Sequence, residues 1–290
     1  MPKQQRKIVF FLGAGASYGA GAYASVQHGR RLPIPMQSTF WDTFLRFCRS
    51  NQNRRRIESF LFRYFKGYAR VPARMKSSKR RAMFNDVNVE EVFTFLSERA
   101  RAPSTTPQLK SHATRIWTAL VAELPNVFSR FRPNTETRAT YRKLSKNFVR
   151  SRDTIVSFNY DTVFEHSLPS TRRWHYEGVI DQKKSIGVLK PHGSINWRDS
   201  EPIQIADSPD RALVVAPTHL KFVQRSGGAA NTAGYLDHSA QVKTVWHLME
   251  REMRQAKALV FIGYSFPDAD LYFHLFCGLC SRIVKVLPRS

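Results

Sequence analysis

The sequence contains few cysteines, and this shortage excludes two kinds of protein. Only Cys48, Cys277 and Cys280 are present in 290 residues. So small an odd number gives no disulfide framework, and a single C-x-x-C pair has too few thiolates for a closed structural zinc site. Because Cys277 and Cys280 stand inside the apolar stretch FHLFCGLC, we expect buried thiols there and no bound metal.

Long apolar runs are also missing. No run approaches the roughly 20 residues that a membrane-spanning helix needs. The opening residues MPKQQRK precede a strand-like run that ends in glycines, which is unlike a secretory signal peptide. We therefore expect a protein of the cytoplasm with no membrane contact, and 42% hydrophobic residues can build a sizeable core.

Acidic residues are scarce, and the shortage is concentrated in the first half of the chain. The 46 Lys and Arg outnumber the 22 Asp and Glu, which gives a formal net charge of +24. Residues 1–150 hold 29 basic against 8 acidic residues, whereas residues 151–290 hold 17 against 14. A short basic run is often only a solvated face. An excess this one-sided favours an anionic partner, either nucleic acid or an acidic protein surface.

A glycine-rich turn interrupts the first apolar run, KIVFFLGAGASYGAG at 7–21. Residues 8–12 show no polar alternation, which is typical of a central strand in a parallel sheet covered on both faces. Gly13 and Gly15 have no Cβ, so the backbone can approach an anionic group closely, and Ser17 adds a hydroxyl near a helix start. These features predict a phosphate-binding loop.

The loop departs from the fingerprint of dinucleotide-dependent hydride transfer. That fingerprint is G-x-G-x-x-G with an acidic residue about 20 positions later. Here the third glycine comes one place late, at Gly19, and no acidic residue precedes Asp42. On these residues alone, a glycine turn without a ligand remains an alternative.

The rest of the chain divides by its periodicity. Residues 22–35 are proline-rich and predict a flexible flap, and residues 36–150 carry apolar side chains at helical spacing, apart from an exposed basic loop at 70–81. Strand-like runs then alternate with helical ones. We predict an α/β fold in which 1–35 and 151–290 form a Rossmann-like parallel sheet. The basic residues 36–150 form a large helical insertion after the first strand.

Polar residues follow the apolar strands, where an open α/β sheet binds its ligands. Asn159 and Asp161 come directly after the run DTIVSF. Their amide and carboxylate can point into a cleft and hydrogen-bond a ribose and a carboxamide. Alternatively, they cap the helix that follows.

Two further strand ends carry polar groups. His192 stands between a proline and a glycine, so we expect it to be presented to a cleft rather than packed in a core. Gly263 and Ser265 repeat the chemistry of the first loop and can contact a second phosphate or a ribose. Asp268 and Asp270 are expected to be helix caps.

Four motifs in this order resemble the sirtuin-like family: GAGAS at 13–17, FNYD at 158–161, PHGS at 191–194 and GYSFPDAD at 263–270. More specifically, the chain resembles the bacterial sirtuin-like NAD-hydrolase domains of antiphage systems. Each motif is unspecific by itself, but four in order over most of the chain form a specific pattern.

The resemblance implies a role for each matching residue. It implies a loop around the NAD phosphates made of Gly13, Ala14, Gly15 and Ser17. It implies ribose and nicotinamide contacts from Asn159 and Asp161, a general base at His192, and contacts to the adenosine half from Gly263 and Ser265.

The implied function is NAD glycohydrolysis without a metal, as a regulated NAD-depleting effector that acts as a homo-oligomer or with a partner defence protein. Sirtuin deacylases carry a four-cysteine zinc module that this chain lacks. Two alternatives remain open: an NAD-dependent deacylase or ADP-ribosyltransferase, and a non-catalytic module that binds a nucleotide or, through the basic helices, nucleic acid.

Overall fold

The computed structural model describes residues 7–26, 30–72, 74–171, 173–179, 186–198, 200, 202–206, 208–209, 211–218, 240–267, 270, 273 and 283–286. The sequence predictions for Asp268, Cys277 and Cys280 lie outside these residues. The chain divides into two compact units. The first comprises Met1–Ile34, Phe131–Val215 and His238–Ser290, and the second comprises Pro35–Arg130 and Ala216–Asp237.

The helices and strands follow one another along the described residues. In chain order they are β1 (Ile8–Leu12), α1 (Ala14–Gly19), β2 (Tyr23–Ser25), β3 (Arg31–Pro33), a 3-10 turn (Gln37–Thr39), α2 (Phe40–Phe47), α3 (Asn51–Phe65), α4 (Ser77–Ala82), α5 (Val89–Arg101), α6 (Pro107–Phe128), α7 (Thr135–Asn147), β4 (Thr154–Ser157), α8 (Val163–Ser167), β5 (Trp174–Tyr176), β6 (Ile186–Leu189), β7 (Gly193–Arg198), β8 (Gln204–Ile205), β9 (Ala212–Val214), α9 (Ala240–Gln255), β10 (Ala258–Ile262) and β11 (Ile283–Val286).

A six-stranded parallel sheet organises the first unit, in the order β11-β10-β1-β4-β6-β5. β1 lies in its interior and pairs with β10 on one side and β4 on the other. The apolar side chains of β1 from Val9 to Leu12 are all buried, as a strand covered on both faces requires. The predicted Rossmann-like α/β fold, with helices inserted after the first strand, is confirmed.

Residues 151–290 were expected to contribute to one parallel sheet, but three of their strands form a separate sheet. β7 pairs with β8 and β9 in an antiparallel arrangement. The turn that precedes β7 explains the change, because Gly193 adopts φ +74° and a Cβ there would lie 2.2 Å from the carbonyl oxygen of Leu213. The glycine therefore allows β9 to pair closely with β7 directly after β6 ends.

The segment predicted as an irregular flap contains a hairpin. β2 and β3 pair in antiparallel register, from Tyr23 opposite Pro33 to Ser25 opposite Arg31. The Arg31 guanidinium lies 4.5 Å from the centre of the Tyr23 ring. Short regular strands are thus compatible with the prolines, which stand at the end of the hairpin.

Helix α7 belongs to the first unit, although the sequence placed it with the helical block at 36–150. Asn134 accepts a hydrogen bond at the start of α7, and its Nδ2 donates to the carbonyl of Gly21 at 3.2 Å. Tyr141 of α7 packs edge-on against Phe164 of α8, with ring centres 5.3 Å apart. These contacts explain why the compact units divide at residue 130 rather than at 150.

The second unit is helical, as its periodicity predicts. Ser50, Asn88 and Thr106 cap α3, α5 and α6 through their side-chain oxygens. The buried Glu123 of α6 accepts hydrogen bonds from the backbone amides of Arg49 and Ser50, at 2.7 and 3.1 Å. This carboxylate therefore joins α6 to the connection between α2 and α3.

The basic segment at 70–81 was predicted to be a loop, but the short helix α4 begins within it. Ion pairs stabilise this helix: Arg80 Nε lies 2.8 Å from Glu58 Oε1, and Arg81 Nε lies 2.9 Å from Asp42 Oδ1. The acidic partners stand on α3 and α2, so local periodicity in the sequence contained no sign of them.

None of the helices in the described residues is both long enough and apolar enough to cross a membrane.

Candidate functional site

Two glycine loops meet at the carboxyl ends of β1 and β10. The amide of Gly13 donates to the carbonyl of Ile262 at 3.1 Å, and that of Gly15 donates to the carbonyl of Gly263 at 2.9 Å. A Cβ on Gly13 would lie 2.4 Å from the Gly263 oxygen. A Cβ on Gly263, whose φ is +58°, would lie 2.0 Å from the amide nitrogen of Ala16. Glycine is therefore required on both loops for this approach.

A hydrogen-bonded cluster connects the first loop to the end of β4. Asn159 Nδ2 donates to the carbonyl of Gly13 at 3.0 Å and to Ser17 Oγ at 3.3 Å. Ser17 Oγ in turn lies 3.4 Å from Asp161 Oδ1 and 3.3 Å from the Tyr141 hydroxyl. Ser17 and Asp161 are buried, whereas Asn159 is half-buried. The fold thus brings four predicted site residues together: Gly13, Ser17, Asn159 and Asp161.

The Asn159 amide has a defined orientation. Its nitrogen makes both of these hydrogen bonds, whereas its Oδ1 has no partner among the described residues. A side-chain amide oxygen accepts up to two hydrogen bonds. Asn159 can therefore accept a hydrogen bond from a ligand hydroxyl or a water molecule while its nitrogen stays fixed to the loop.

Asp161 caps the start of α8, which is the structural alternative that the sequence left open. Its Oδ1 accepts from the amide of Val163 at 2.9 Å. Burial raises the pKa of Asp161 to about 6, against the lowering effect of the Lys190 ammonium group. The fully buried Lys190 Nζ donates to the carbonyl of Asp161 at 2.6 Å and to Glu165 Oε1 at 3.0 Å. A direct contact between Asp161 and nicotinamide remains a prediction.

His192 lies in the turn between β6 and β7 and is only 8% exposed. Its Nδ1 lies 3.2 Å from the carbonyl oxygen of Phe158, and its Nε2 lies 3.0 Å from Asp270 Oδ1. Helix α9 also contacts this turn, because Trp246 Nε1 donates a hydrogen bond to the carbonyl of Pro191 at 2.8 Å. His192 stands at a strand end as expected, but it is buried rather than presented to a cleft, with both ring nitrogens against acceptor oxygens.

Sequence reasoning missed the roles of Asp270 and Lys190. Asp270 was expected to cap a helix, but it is buried, contacts His192 and accepts a hydrogen bond from the Tyr264 hydroxyl through its Oδ2. No local pattern distinguishes such an aspartate from a cap. Lys190 did give a signal, because a lysine directly after the apolar strand β6 has to find a buried partner.

Two predicted residues lie at the surface. Ala14 begins α1 and is exposed. Ser265 is also exposed, and its side chain makes no hydrogen bond within the described residues. Only the backbone of the GYS segment therefore takes part in the loop contact, through Gly263.

The described residues contain no cluster of three or more His, Cys, Asp or Glu that could hold a metal ion. Cys48 is buried in the second unit. Its burial raises the pKa of the thiol well above the usual range, and the charge of Glu123 raises it further. Cys48 is therefore an unreactive thiol at neutral pH.

Comparison with known proteins identifies one domain. The model of the SIR2-like domain matches residues 153–277, a range that includes Asn159, His192 and Gly263. The search of curated proteins found no match.

Solved structures of Sir2 homologues are similar at low identity. A Sir2 homologue in complex with NAD shares 14% identity, with 99% of this chain and 80% of that chain covered and a TM-score of 0.42. Two variants of a Sir2 homologue in complex with ADP-ribose share 14% and 13%, with TM-scores of 0.36 and 0.38. Each of these comparisons covers 97% of this chain and 80% of that chain. TM-scores this low carry no argument about the site.

The classification rests on the match at 153–277, together with the order of the four motifs and the parallel sheet. The chain carries a SIR2-like domain over residues 153–277.

Proposed function

We propose that the chain is an NAD glycohydrolase, which cleaves the bond between nicotinamide and ribose to give nicotinamide and ADP-ribose. The observation that carries this proposal is the cluster of Ser17, Asn159 and Asp161 beside the glycine loop, at the carboxyl edge of the sheet. Open α/β sheets bind ligands in the crevice at that edge. The SIR2-like domain supports NAD as the ligand.

The leaving group of this reaction needs no activation by the protein. The nicotinamide of NAD is a cation, so the electron pair of the broken bond leaves with it and produces a neutral molecule. The ribose carbon becomes electron-poor, and water adds to it and loses one proton. The protein therefore has to orient the ribose, position the water and accept that proton.

Asn159 is suited to the positioning role. Its Nδ2 is fixed by hydrogen bonds to Gly13 and Ser17, so its Oδ1 already has a single orientation before a ligand binds. An oriented acceptor can hold the ribose hydroxyl or the attacking water in line with the reacting carbon. Such pre-organised placement is a large contribution to enzymatic rates.

His192 is suited to proton transfer. The Phe158 carbonyl accepts from Nδ1, which leaves Nε2 as the basic nitrogen. Nε2 faces Asp270 in the structure. We infer that a water molecule or a ribose hydroxyl gives its proton to Nε2, and that Asp270 stabilises the imidazolium that results.

An enzyme that destroys NAD would kill its own cell if it were always active. We therefore propose a restrained, NAD-depleting effector of bacterial antiphage defence, located in the cytoplasm. The restraint comes from the hairpin segment at 22–35 or from contacts in a homo-oligomer or with a partner defence protein. The excess of 29 basic over 8 acidic residues in 1–150 supports nucleic acid as an anionic partner.

Product analysis tests the proposed function. Purified protein is incubated with NAD, alone and with single-stranded DNA or RNA, and the products are separated by chromatography. Equal amounts of nicotinamide and ADP-ribose support hydrolysis. Nicotinamide release that depends on an acylated peptide identifies a deacylase, and ADP-ribose attached to protein identifies a transferase. No turnover under any of these conditions would overturn the proposal.

A further inference from the structure

A groove of about 370 Å³ lies in the second unit, lined by side chains of α3 and α6. Ligand pockets in proteins measure roughly 300 to 1,000 Å³, so this groove is at the small end of that range. It has room for a group of the size of one nucleotide. The residues of the candidate NAD site belong to the first unit, so the groove is a separate feature.

Four arginines surround the groove: Arg55, Arg56, Arg63 and Arg115. All four are exposed, and none forms an ion pair with any residue that the structure describes. The nearby Arg80 and Arg81, by contrast, are paired with carboxylates. Four unneutralised guanidinium groups around one small groove repel one another, and a bound anion relieves that repulsion.

Aromatic rings line the same groove. Phe60 is buried, and its ring centre lies 4.9 Å from that of Tyr64 and 6.4 Å from that of His112. Tyr64 is 40% exposed, which is unusual for a large ring and leaves part of it accessible. Burial lowers the pKa of His112, as do the charges of Arg115 and Arg63, so this ring is neutral at physiological pH. A flat and uncharged surface thus lies among the four charges.

We propose that this groove binds a nucleotide, whose base stacks on Tyr64 and His112 and whose phosphates pair with Arg63 and Arg115. An acidic protein surface would account for the arginines but not for the accessible rings. Stacking requires an unpaired base, so the ligand is a free nucleotide or one nucleotide of a single strand. The combination of aromatic platform and guanidinium groups is the chemistry by which proteins hold single-stranded nucleic acid.

Isothermal titration calorimetry on the full chain tests this inference. The probes are thymidine triphosphate, inorganic triphosphate and a short 5′-phosphorylated oligothymidylate. The variants are Arg63→Ala with Arg115→Ala, and Tyr64→Ala. The control is Lys76→Ala with Lys79→Ala, which removes the same charge at exposed positions of the second unit that do not line the groove.

Arg63→Ala with Arg115→Ala is expected to weaken thymidine triphosphate binding at least about tenfold, since the variant loses charge-assisted hydrogen bonds to the phosphates. Tyr64→Ala is expected to weaken it about fivefold or more without affecting inorganic triphosphate, because only the nucleotide has a base that stacks on the ring. The control changes affinity less than about twofold. Circular dichroism spectra verify that each variant is folded.

The probes separate the two sources of the nucleotide. Tighter binding of the oligothymidylate identifies a single strand as the ligand, and equal or tighter binding of thymidine triphosphate identifies a free nucleotide. The inference would be overturned by no binding of any nucleotide probe, or by an equal loss of affinity in the lysine control. It would also be overturned if inorganic triphosphate bound as tightly as thymidine triphosphate and Tyr64→Ala had no effect. Binding that ADP-ribose displaces and the arginine variants leave unchanged belongs to the first unit and also overturns it.

Discussion

Asp270 Oδ1 lies 3.0 Å from His192 Nε2, and the two side chains are both buried. The other ring nitrogen faces the carbonyl of Phe158. A carbonyl and a carboxylate are both acceptors, so the form of His192 that satisfies them both is the imidazolium with two N–H groups. Asp270 thus stabilises the charge that His192 acquires when it takes a proton, and orients the ring.

Asp270→Asn is expected to reduce kcat at least about tenfold and to leave KM nearly unchanged, because the amide keeps the shape but cannot stabilise the imidazolium. Steady-state kinetics of nicotinamide release measure both parameters. The comparison is Tyr264→Phe, which removes the hydrogen bond to Asp270 Oδ2 and should lose less. If kcat and KM of Asp270→Asn match those of wild type, Asp270 has no positioning role.

His192→Ala is expected to reduce NAD cleavage by about 10² to 10⁴, the usual contribution of a positioned acid or base. His247→Ala is a matched control, since His247 stands exposed on α9. Initial rates of nicotinamide release measure both variants. More than about a tenth of wild-type activity in His192→Ala would assign proton transfer to another group.

Gly263→Ala is expected to destabilise the protein by about 2 kcal/mol or more. The residue has φ +58°, and a Cβ would collide with the backbone of Ala16 and Gly15. Gly19→Ala is the control, because a Cβ there meets nothing within 4 Å. Its unfolding free energy should stay within about 1 kcal/mol of wild type. Urea denaturation measures both, and equal stability of the two variants would contradict the close contact of the loops.

The raised pKa of Asp161 predicts an unusual pH dependence of the free energy of unfolding. Burial raises its pKa from 3.8 to about 6 in the folded state, so between these values the folded protein binds more protons than the unfolded chain. The contribution of Asp161 to stability is therefore highest below about pH 4 and falls by roughly 3 kcal/mol as the pH rises through 6. Asp161→Asn removes this dependence while keeping an acceptor for the Val163 amide.

Urea denaturation of wild type and Asp161→Asn from about pH 4 to about pH 7 isolates the contribution of Asp161 to stability. The stability of wild type relative to the variant should decrease with rising pH. A relative stability that instead increases with pH would mean that the folded state favours the ionised carboxylate.

The sequence predicted the parts of the fold that local pattern determines. The unbroken apolar run at 8–12 indicated a central strand, and Asn159 and His192 were placed at strand ends because polar groups directly follow apolar runs. The hydrogen bonds from Asn159 to Gly13 and Ser17 follow from that arrangement, since β1 and β4 are neighbours.

The missed features depend on residues that are distant in the sequence. Asp270 contacts His192 although 78 residues separate them in the sequence, and Arg80 pairs with Glu58 on another helix. The second case changes the interpretation of the charge. The run around Arg80 and Arg81 was the most evident basic cluster in the sequence, but carboxylates pair with both. Four arginines without an ion-pair partner among the described residues lie instead around the groove of α3 and α6.

Nicotinamide release by Asn159→Ala, measured beside wild type under the conditions in which wild type cleaves NAD, tests the central claim most directly. Asn159 is half-buried, and among the described residues its side chain bonds only to Gly13 and Ser17, so the variant should fold and give an unchanged near-ultraviolet circular dichroism spectrum. Its rate should fall about 10²-fold or more, because the ribose or the water loses its positioning group. A folded Asn159→Ala that keeps more than about a tenth of the wild-type rate would contradict the assignment of NAD hydrolysis to this cluster.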